Sequence, residues 1–259
     1  MRHEKPVEDT YAQRAPGQRK LVTFFSGIAA DLGRPISPGA SVLDFGCGDG
    51  GAVDAWQATG RDAYGCDFQL DRPNEHLRLI EAPYRLPFPD ATFDIVVSYQ
   101  VLEHVQDHDA AFSEICRVLK PGAIGLHLFP GRWTPIEPHL LVPLATVIQQ
   151  YWWVAVWARL GIRNQFQADA EWRDVAAFNI EYLRTRTSYC SGKDILATGR
   201  RWFDHASFID ALAIKHGTRT RAIYPLVRLF PPVSRLYGTL RTRLLLLARA
   251  SDTDHVTSA

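Results

Sequence analysis

The sequence predicts an α/β chain built on a doubly wound, mostly parallel sheet. Three observations carry that expectation. Short apolar runs of strand length alternate with stretches of helical spacing. A glycine-dense turn, "FGCGDGG" at 45–51, directly follows the first such run. The residues best suited to holding a small molecule fall just past the carboxyl ends of predicted strands, where ligands of such sheets sit.

The elements follow in order. Thr10 to Leu32 is loosely amphipathic and predicts a helix interrupted near Pro16-Gly17. After the breaker cluster "RPISPG", "SVLDF" (41–45) predicts a short buried strand, then the glycine turn, then a helix over 52–60 ended by Gly60. "DAYGCDF" (62–68) and "LRLIEA" (77–82) predict strands two and three, and "FDIVVS" (93–98) strand four. In 109–122, Phe112, Ile115, Cys116 and Leu119 share a helical face and Pro121-Gly122 ends it, before a fifth strand at 123–129.

Beyond Pro130 the alternation stops. Residues 131–190 are rich in Trp, Arg and Pro and predict a helical insertion. Helices are expected at 192–199 and 205–217, and a strand at 219–224. In 226–250 the leucines fall all round a helical wheel and the arginines do not segregate, which is poor for a helix lying on a surface. A final helix leading into an antiparallel edge strand near 244–249 is the preferred reading. The chain divides into an N-terminal helical segment (1–38), a ligand-binding core (39–130), the insertion as a lid (131–190), and closing elements of the same domain (191–259).

Composition bounds the function. The 259 residues are 46% apolar and 22% charged, enough for one large domain or one domain with an insertion. The net charge of +1 supplies no field to attract nucleic acid, so none is expected as a partner. Cys47, Cys66, Cys116 and Cys190 are scattered, with no CxxC pair or Cys/His cluster, so no metal is expected and a reduced cytoplasmic chain is the simpler reading. The N-terminus is polar and has no signal-peptide apolar region. Leu140 to Ala158 carries no charge, which approaches the length of a membrane span. Pro143, Gln149 and Gln150 weaken that reading, so a buried helix or lid is preferred and contact with the inner face of a membrane stays open.

Gly46, Gly48 and Gly51 satisfy G-x-G-x-x-G, and Asp67 follows about 20 residues on, as in a nicotinamide-dinucleotide site. Asp44 argues otherwise. It ends the first strand close to where a pyrophosphate would settle, and like charges in a low-dielectric crevice repel. S-adenosylmethionine has no phosphate, and its sulfonium and ammonium favour a nearby carboxylate. The glycines then let the backbone approach the methionine and ribose portions, and Asp67 can take both ribose hydroxyls.

With "VLDFGCGDG", "GCDF", "LPFPDATFDIVVSYQVLEHV" and "EICRVLKPGA" in this order and spacing, residues 40–130 resemble the class I S-adenosylmethionine-dependent methyltransferases. The type 11 domain, similar to the ubiquinone/menaquinone-biosynthesis methyltransferases, is the nearest in pattern. The resemblance implies a Rossmann-like sheet of seven strands with the last antiparallel. It implies that Asp44, Gly46, Cys47 and Gly48 line the methionine end, that Asp67 binds ribose and Phe68 flanks the adenine, and that Ser98, Tyr99 and Gln100 lie beside the methionine. The family's acid after strand three is missing in register, with Glu81 as the substitute, and its "KPGG" is "KPGA" here.

Methyl transfer from a sulfonium is an in-line displacement that mainly requires alignment and exclusion of water. A base helps when the acceptor is a hydroxyl; His104 and His139 are the candidates, although Glu103-His104 also suits capping or packing of the next helix. "PGRWTPIEPHLLVP" follows strand five and is stiffened by prolines, so Trp133, Glu137 and His139 are candidate substrate contacts, with Tyr11 of the N-terminal helix as a further one. Cys47 is read as a small filler of the turn. The expected function is transfer of a methyl group to an O, N or C atom of a small, apolar or lipid-linked acceptor, leaving S-adenosylhomocysteine. The alternatives are an NAD(P)-dependent oxidoreductase and a non-catalytic cofactor-binding or assembly protein of the same fold.

Overall fold

The computed structural model describes residues 7–251, with side chains from residue 17 onward. Seven strands form one sheet: β1 (Ser41–Phe45), β2 (Asp62–Asp67), β3 (Leu77–Leu79), β4 (Phe93–Tyr99), β5 (Leu119–Pro130), β6 (His205–Phe208) and β7 (Thr242–Ala248). Their spatial order is β3-β2-β1-β4-β5-β7-β6. The β1–β2, β1–β4, β2–β3 and β4–β5 pairs are parallel, and β7 runs antiparallel to both β5 and β6. Strand order reverses between β1 and β4, which opens the crevice beyond their carboxyl ends.

Both faces of the sheet are covered, and the strands show it residue by residue. Val42 packs with Val22, Phe25 and Ile28 of α1 (Val7–Asp31) and Val53 and Trp56 of α2 (Gly51–Gln57). Leu43 belongs to the opposite core, with Phe112 and Ile115 of α3 (His108–Val118). β7 alternates in the same way: Leu244 and Leu246 join the first core, Leu245 and Leu247 the second. Leucines on all sides of a helical wheel are therefore the signature of a strand buried on both faces. The expected antiparallel strand is present, but it is not at the edge, because β6 pairs outside it.

A third core lies in the insertion. There α4 (Tyr151–Arg159) packs on α5 (Trp172–Thr185) through Val154, Ala158, Val175, Ala176 and Leu183, with Leu140 and Val142 beneath. The uncharged stretch 140–158 is not one helix. Its first half runs in turns, with Leu141 and Leu144 at φ 61° and 54°. Pro143 has no N–H for a helix, and its carbonyl instead accepts from the Trp153 indole at 2.6 Å. No described helix is long and apolar enough to cross a membrane.

Other boundaries moved for local reasons. The N-terminal helix continues through Pro16-Gly17 without the expected interruption. The helix expected to end at Pro121-Gly122 stops at Val118, because Leu119 is already extended and Pro121 keeps Lys120 out of the helical region. Residues 205–208 form β6 rather than a helix start: Ala206 and Phe208 face the core while His205 and Ser207 hydrogen-bond to each other outside. The helix expected there begins only at α7 (Asp210–His216), after α6 (Gly192–Trp202). The strand expected at 219–224 is helical, a 3-10 turn at Arg221–Ile223 running into α8 (Tyr224–Leu229), and α9 (Pro232–Leu240) then leads into β7.

Leu245 is fully buried between the paired β5 and β6. Leu245→Ala is expected to lower unfolding free energy by about 2–5 kcal/mol in a denaturant titration. A loss under about 1 kcal/mol would be the value of a partly exposed site and would place this strand elsewhere.

Candidate active site

The chain leaves β1 at Phe45 and must turn at once to enter α2. Gly46 (φ 77°) and Gly48 (φ 55°) supply left-handed backbone that other residues rarely adopt. A Cβ on Gly46 would stand 2.4 Å from a methyl of Val101, whereas one on Gly48 would project into open space. The turn is tied to β2: the Gly46 and Cys47 N–H groups both donate to the Cys66 carbonyl, at 2.8 and 3.1 Å, and the Gly48 N–H donates to Asp67 Oδ2 at 2.9 Å.

Two cavities meet at Gly46. One, of about 260 Å³, is lined by Asp44, Cys47, Gly48, Asp49, Val97 and Tyr99, and is closed by Gln18, Leu21 and Phe25 of α1. The other, of about 250 Å³, is lined by Phe45, Asp67, Phe68, Ile80, Tyr84, Gln100, Val101, His104 and Val105. A wider cavity of about 800 Å³ shares Phe68, Tyr84 and His104 and is walled by Phe178, Tyr182 and Arg186 from α5 and its end. A separate cavity, lined by Arg34, Pro38 and Lys120, lies at the amino ends of β1 and β4, away from the glycine turn.

The predicted residues divide accordingly. Asp44, Gly46, Cys47, Gly48 and Tyr99 line the first crevice, and Asp67, Phe68, Gln100 and His104 the second. Two are set apart. Ser98 is buried and bonded to His127 Nδ1 at 2.8 Å, because alternation along β4 turns Val97 and Tyr99 toward the crevice and Ser98 to the other face. Glu81 is exposed and lines neither crevice; its loop instead contributes Ile80 and Tyr84. The ring of Tyr84 stands edge-on to Phe68, with centroids 5.1 Å apart. Gln18, Leu21 and Phe25 were missed: they lie along one face of a helix, the first two half-buried and Phe25 buried, and only its crossing of the sheet end makes that face a wall.

The insertion places Glu137 and His139 beside His104. Glu137 is fully buried and accepts four hydrogen bonds: from the backbone N–H groups of His139 and Leu140, from His139 Nδ1 at 2.9 Å, and from the Tyr189 hydroxyl at 2.6 Å. Burial alone would raise its pKa, but these donors hold it low; His139 is correspondingly raised, Glu137 outweighing the effect of burial. The His104 and His139 rings meet at 4.9 Å. Glu103 is buried beside them, and burial lifts its pKa to about 7. Trp133 is half exposed and lines none of these cavities. The side chain of Tyr11 lies outside the described residues. Burial, then the Asp44 charge, pushes the Cys47 thiol up, so it fills space and is no nucleophile.

Residues 43–126 match the family model described as "Methyltransferase domain", of type 11. A "Probable S-adenosylmethionine-dependent methyltransferase" of Mycolicibacterium smegmatis is 35% identical over 115 residues, covering 39% of this chain and 44% of that protein. A sterol 24-C-methyltransferase of Gibberella zeae is 35% identical over 111 residues, covering 38% of this chain and 29% of that one. The chain thus spans less than half the length of either relative. The solved structure of the YcgJ protein from Bacillus subtilis aligns with a TM-score of 0.48 at 16% identity, covering 88% of this chain and 99% of that one. The fold, the glycine turn and the matched segment define a class I S-adenosylmethionine-dependent methyltransferase domain. Within that class, residues 43–126 carry the pattern of a type 11 methyltransferase domain.

Asp44 has a testable consequence. Burial first, then the charges of Asp67 and Asp49, raise its pKa from 3.8 to about 7. Between those values the folded chain keeps a proton the unfolded chain has lost. Asp44 therefore lowers stability progressively as pH rises through that window, and fully above it. A shift of this size corresponds to about 4 kcal/mol. The ligand-free Asp44→Asn protein is expected to be more stable than the parent at pH 8, and the gap to shrink toward pH 5. Denaturant unfolding at both pH values measures it; a gap that does not vary with pH would mean that Asp44 is not shifted.

Proposed function

We propose that the chain is an S-adenosylmethionine-dependent methyltransferase acting on a small-molecule acceptor with an apolar or lipid-linked part. One observation carries the reading. Asp44, a buried acid whose charged neighbours are Asp67 and Asp49, is the last residue but one of β1, beside a bare glycine turn. A cation without phosphate suits that place, and a pyrophosphate does not. This disfavours an NAD(P)-dependent oxidoreductase.

The residues present fit the cofactor. Asp44, Gly46, Cys47, Gly48 and Tyr99 would hold its methionine end, with Gly48 leaving room that a Cβ would fill. Asp67 would take the ribose hydroxyls while still accepting from Gly48, and Phe68 and Tyr84 would flank the adenine. When bound, the cofactor supplies an activated methyl group on a sulfonium. The chain's part is to align the acceptor and exclude water.

The acceptor is assigned to the cavity between this crevice and α5. Its aromatic walls, Phe68, Tyr84, Phe178 and Tyr182, suit an apolar body, and Gln69, Gln106 and Arg186 suit a polar end. Residues 131–190 act as the cover that selects the acceptor. Where the acceptor is a hydroxyl, His104 lines the cavity and His139, oriented by Glu137, stands behind it, so either could take the proton.

Calorimetry with S-adenosylhomocysteine should show saturable binding. Asp67→Ala should weaken it by roughly 1.5–3 kcal/mol per charged hydrogen bond lost, with the far-ultraviolet circular dichroism unchanged. No heat at millimolar ligand overturns the reading. Binding without transfer to any tested acceptor would favour the non-catalytic alternative.

Trp152, Leu160 and Phe166 of the insertion are exposed. They support a place at the cytoplasmic face of a membrane. Sedimentation with phospholipid vesicles should carry down the parent protein and leave a Trp152→Ser/Leu160→Ser/Phe166→Ser variant in solution. Equal partition of the two would remove this part of the proposal.

A further inference from the structure

Glu103, His104 and His139 come together from two separate excursions of the chain. The first two sit in the 3-10 turn Leu102–His104 that follows β4; the third sits in the turn segment that follows β5. One nitrogen or oxygen from each lies within 4.8 Å of the other two. We propose that these three side chains form a binding site for a divalent transition-metal cation.

The carboxylate is the first argument. The Glu103 side chain is wholly enclosed, and neither of its oxygens has a hydrogen-bond partner. A buried carboxylate is normally paired, hydrogen-bonded or bound to metal. Here the groups it faces are ring nitrogens: His104 Nε2 stands 4.0 Å from Glu103 Oε1.

The histidines are the second argument. His104 Nδ1 lies 2.7 Å from the Arg186 carbonyl, which can only accept. Nδ1 therefore carries the proton, and Nε2 of the neutral ring keeps its lone pair. Burial favours that neutral form. His139 is oriented in the same way by a different acceptor, Nδ1 donating to Glu137 Oε1. Glu137 is itself held by Tyr189 and two backbone N–H groups. Histidines that bind metal almost always donate their other nitrogen to a carbonyl or a carboxylate. One of each is present here.

The donor set selects the cation. Two imidazoles and one carboxylate suit zinc, iron(II), cobalt(II) or manganese, and are a poor match for calcium or magnesium, which prefer oxygen throughout. Bonds of about 2.0–2.2 Å in a tetrahedral array put ligand atoms about 3.4 Å apart, so the three groups must draw in by about an ångström. His104 and His139 are only partly buried and can swing. Three protein ligands leave at least one position open, and His104 also lines the cavity shared with Phe68 and Tyr84.

Occupancy would change what the histidines do. A ring bound through Nε2 has no lone pair left, so His104 and His139 would not serve as free bases. The open position would instead take an acceptor oxygen and ease loss of its proton. That consequence rests on the methyltransferase reading; binding of the cation does not.

The experiment uses the untagged full chain, stripped with chelator and titrated with cobalt(II) alone while following visible ligand-field bands, and then with zinc(II) alone by calorimetry. One equivalent is expected to bind. Glu103→Gln, His104→Ala and His139→Ala should each weaken binding by tenfold or more and remove the cobalt bands. His205→Ala, a histidine outside the cluster, should leave both unchanged. Circular dichroism and S-adenosylhomocysteine binding check each variant's fold. If the parent protein binds no cation, or Glu103→Gln binds as the parent does, the proposal is overturned, whatever the homocysteine ligand does. If the cation binds and S-adenosylhomocysteine does not, the metal site stands and the methyltransferase reading falls.

Discussion

Buried negative charge at the carboxyl edge of the sheet is the constraint on which the rest of this molecule turns. Asp44 lies near the end of β1 inside the fold, and Glu103 is enclosed just past β4. Asp67 and Asp49 stand near the first, and Glu137 near the second. Taking a carboxylate out of water costs several kcal/mol unless a partner restores what hydration supplied. Glu137 has such partners, four donors of which one is the His139 ring. Asp44 and Glu103 do not share them. Burial raises the pKa of both to about 7, and a cation is proposed beside each.

The sheet order creates this edge. Because β1 and β4 are neighbours while the chain leaves them for opposite sides, their ends splay and the glycine turn, Asp67, Tyr99 and Gln100 converge on one crevice. Strand β7 makes that arrangement rigid from the far side. Its four leucines knit both cores, and its pairing with β5 runs from Ile124 to Pro130, the stretch from which the insertion departs. The insertion then returns over the edge with a core of its own, which is why α5 can present Phe178 and Tyr182 to the cavity while burying Val175, Ala176 and Leu183 behind them.

A transfer that depends on alignment places its demands on walls rather than on a reactive group. The described crevice has that character. Cys47 is a buried filler, and His127 is locked on Ser98. The exception is the Glu103, His104 and His139 group, where two histidines are aimed by their outer hydrogen bonds at a carboxylate without a partner of its own. Such aiming is more than a packed wall requires.

The sequence by itself determined whatever depends on neighbours along the chain. β1, its glycine turn and the sign of the charge at Asp44 were legible because strand, turn and acid are contiguous. So were β2 with Asp67, and β4, each a short apolar run between breakers. Where two signals overlapped the reading failed: Ala206 and Phe208 of β6 merged with the helical spacing of α7. The face on which Ser98 falls, the wall made by Gln18, Leu21 and Phe25, and the exclusion of Glu81 were decided only by tertiary structure. So was the meeting of Glu103 and His104 with His139, 35 residues on, which no spacing rule for metal ligands detects. Hydrogen bonds and hydrophobic alternation act over a few residues and leave a pattern in sequence. Burial and the electrostatics of a crevice depend on which distant segments close around a group, and that is set when the layers pack.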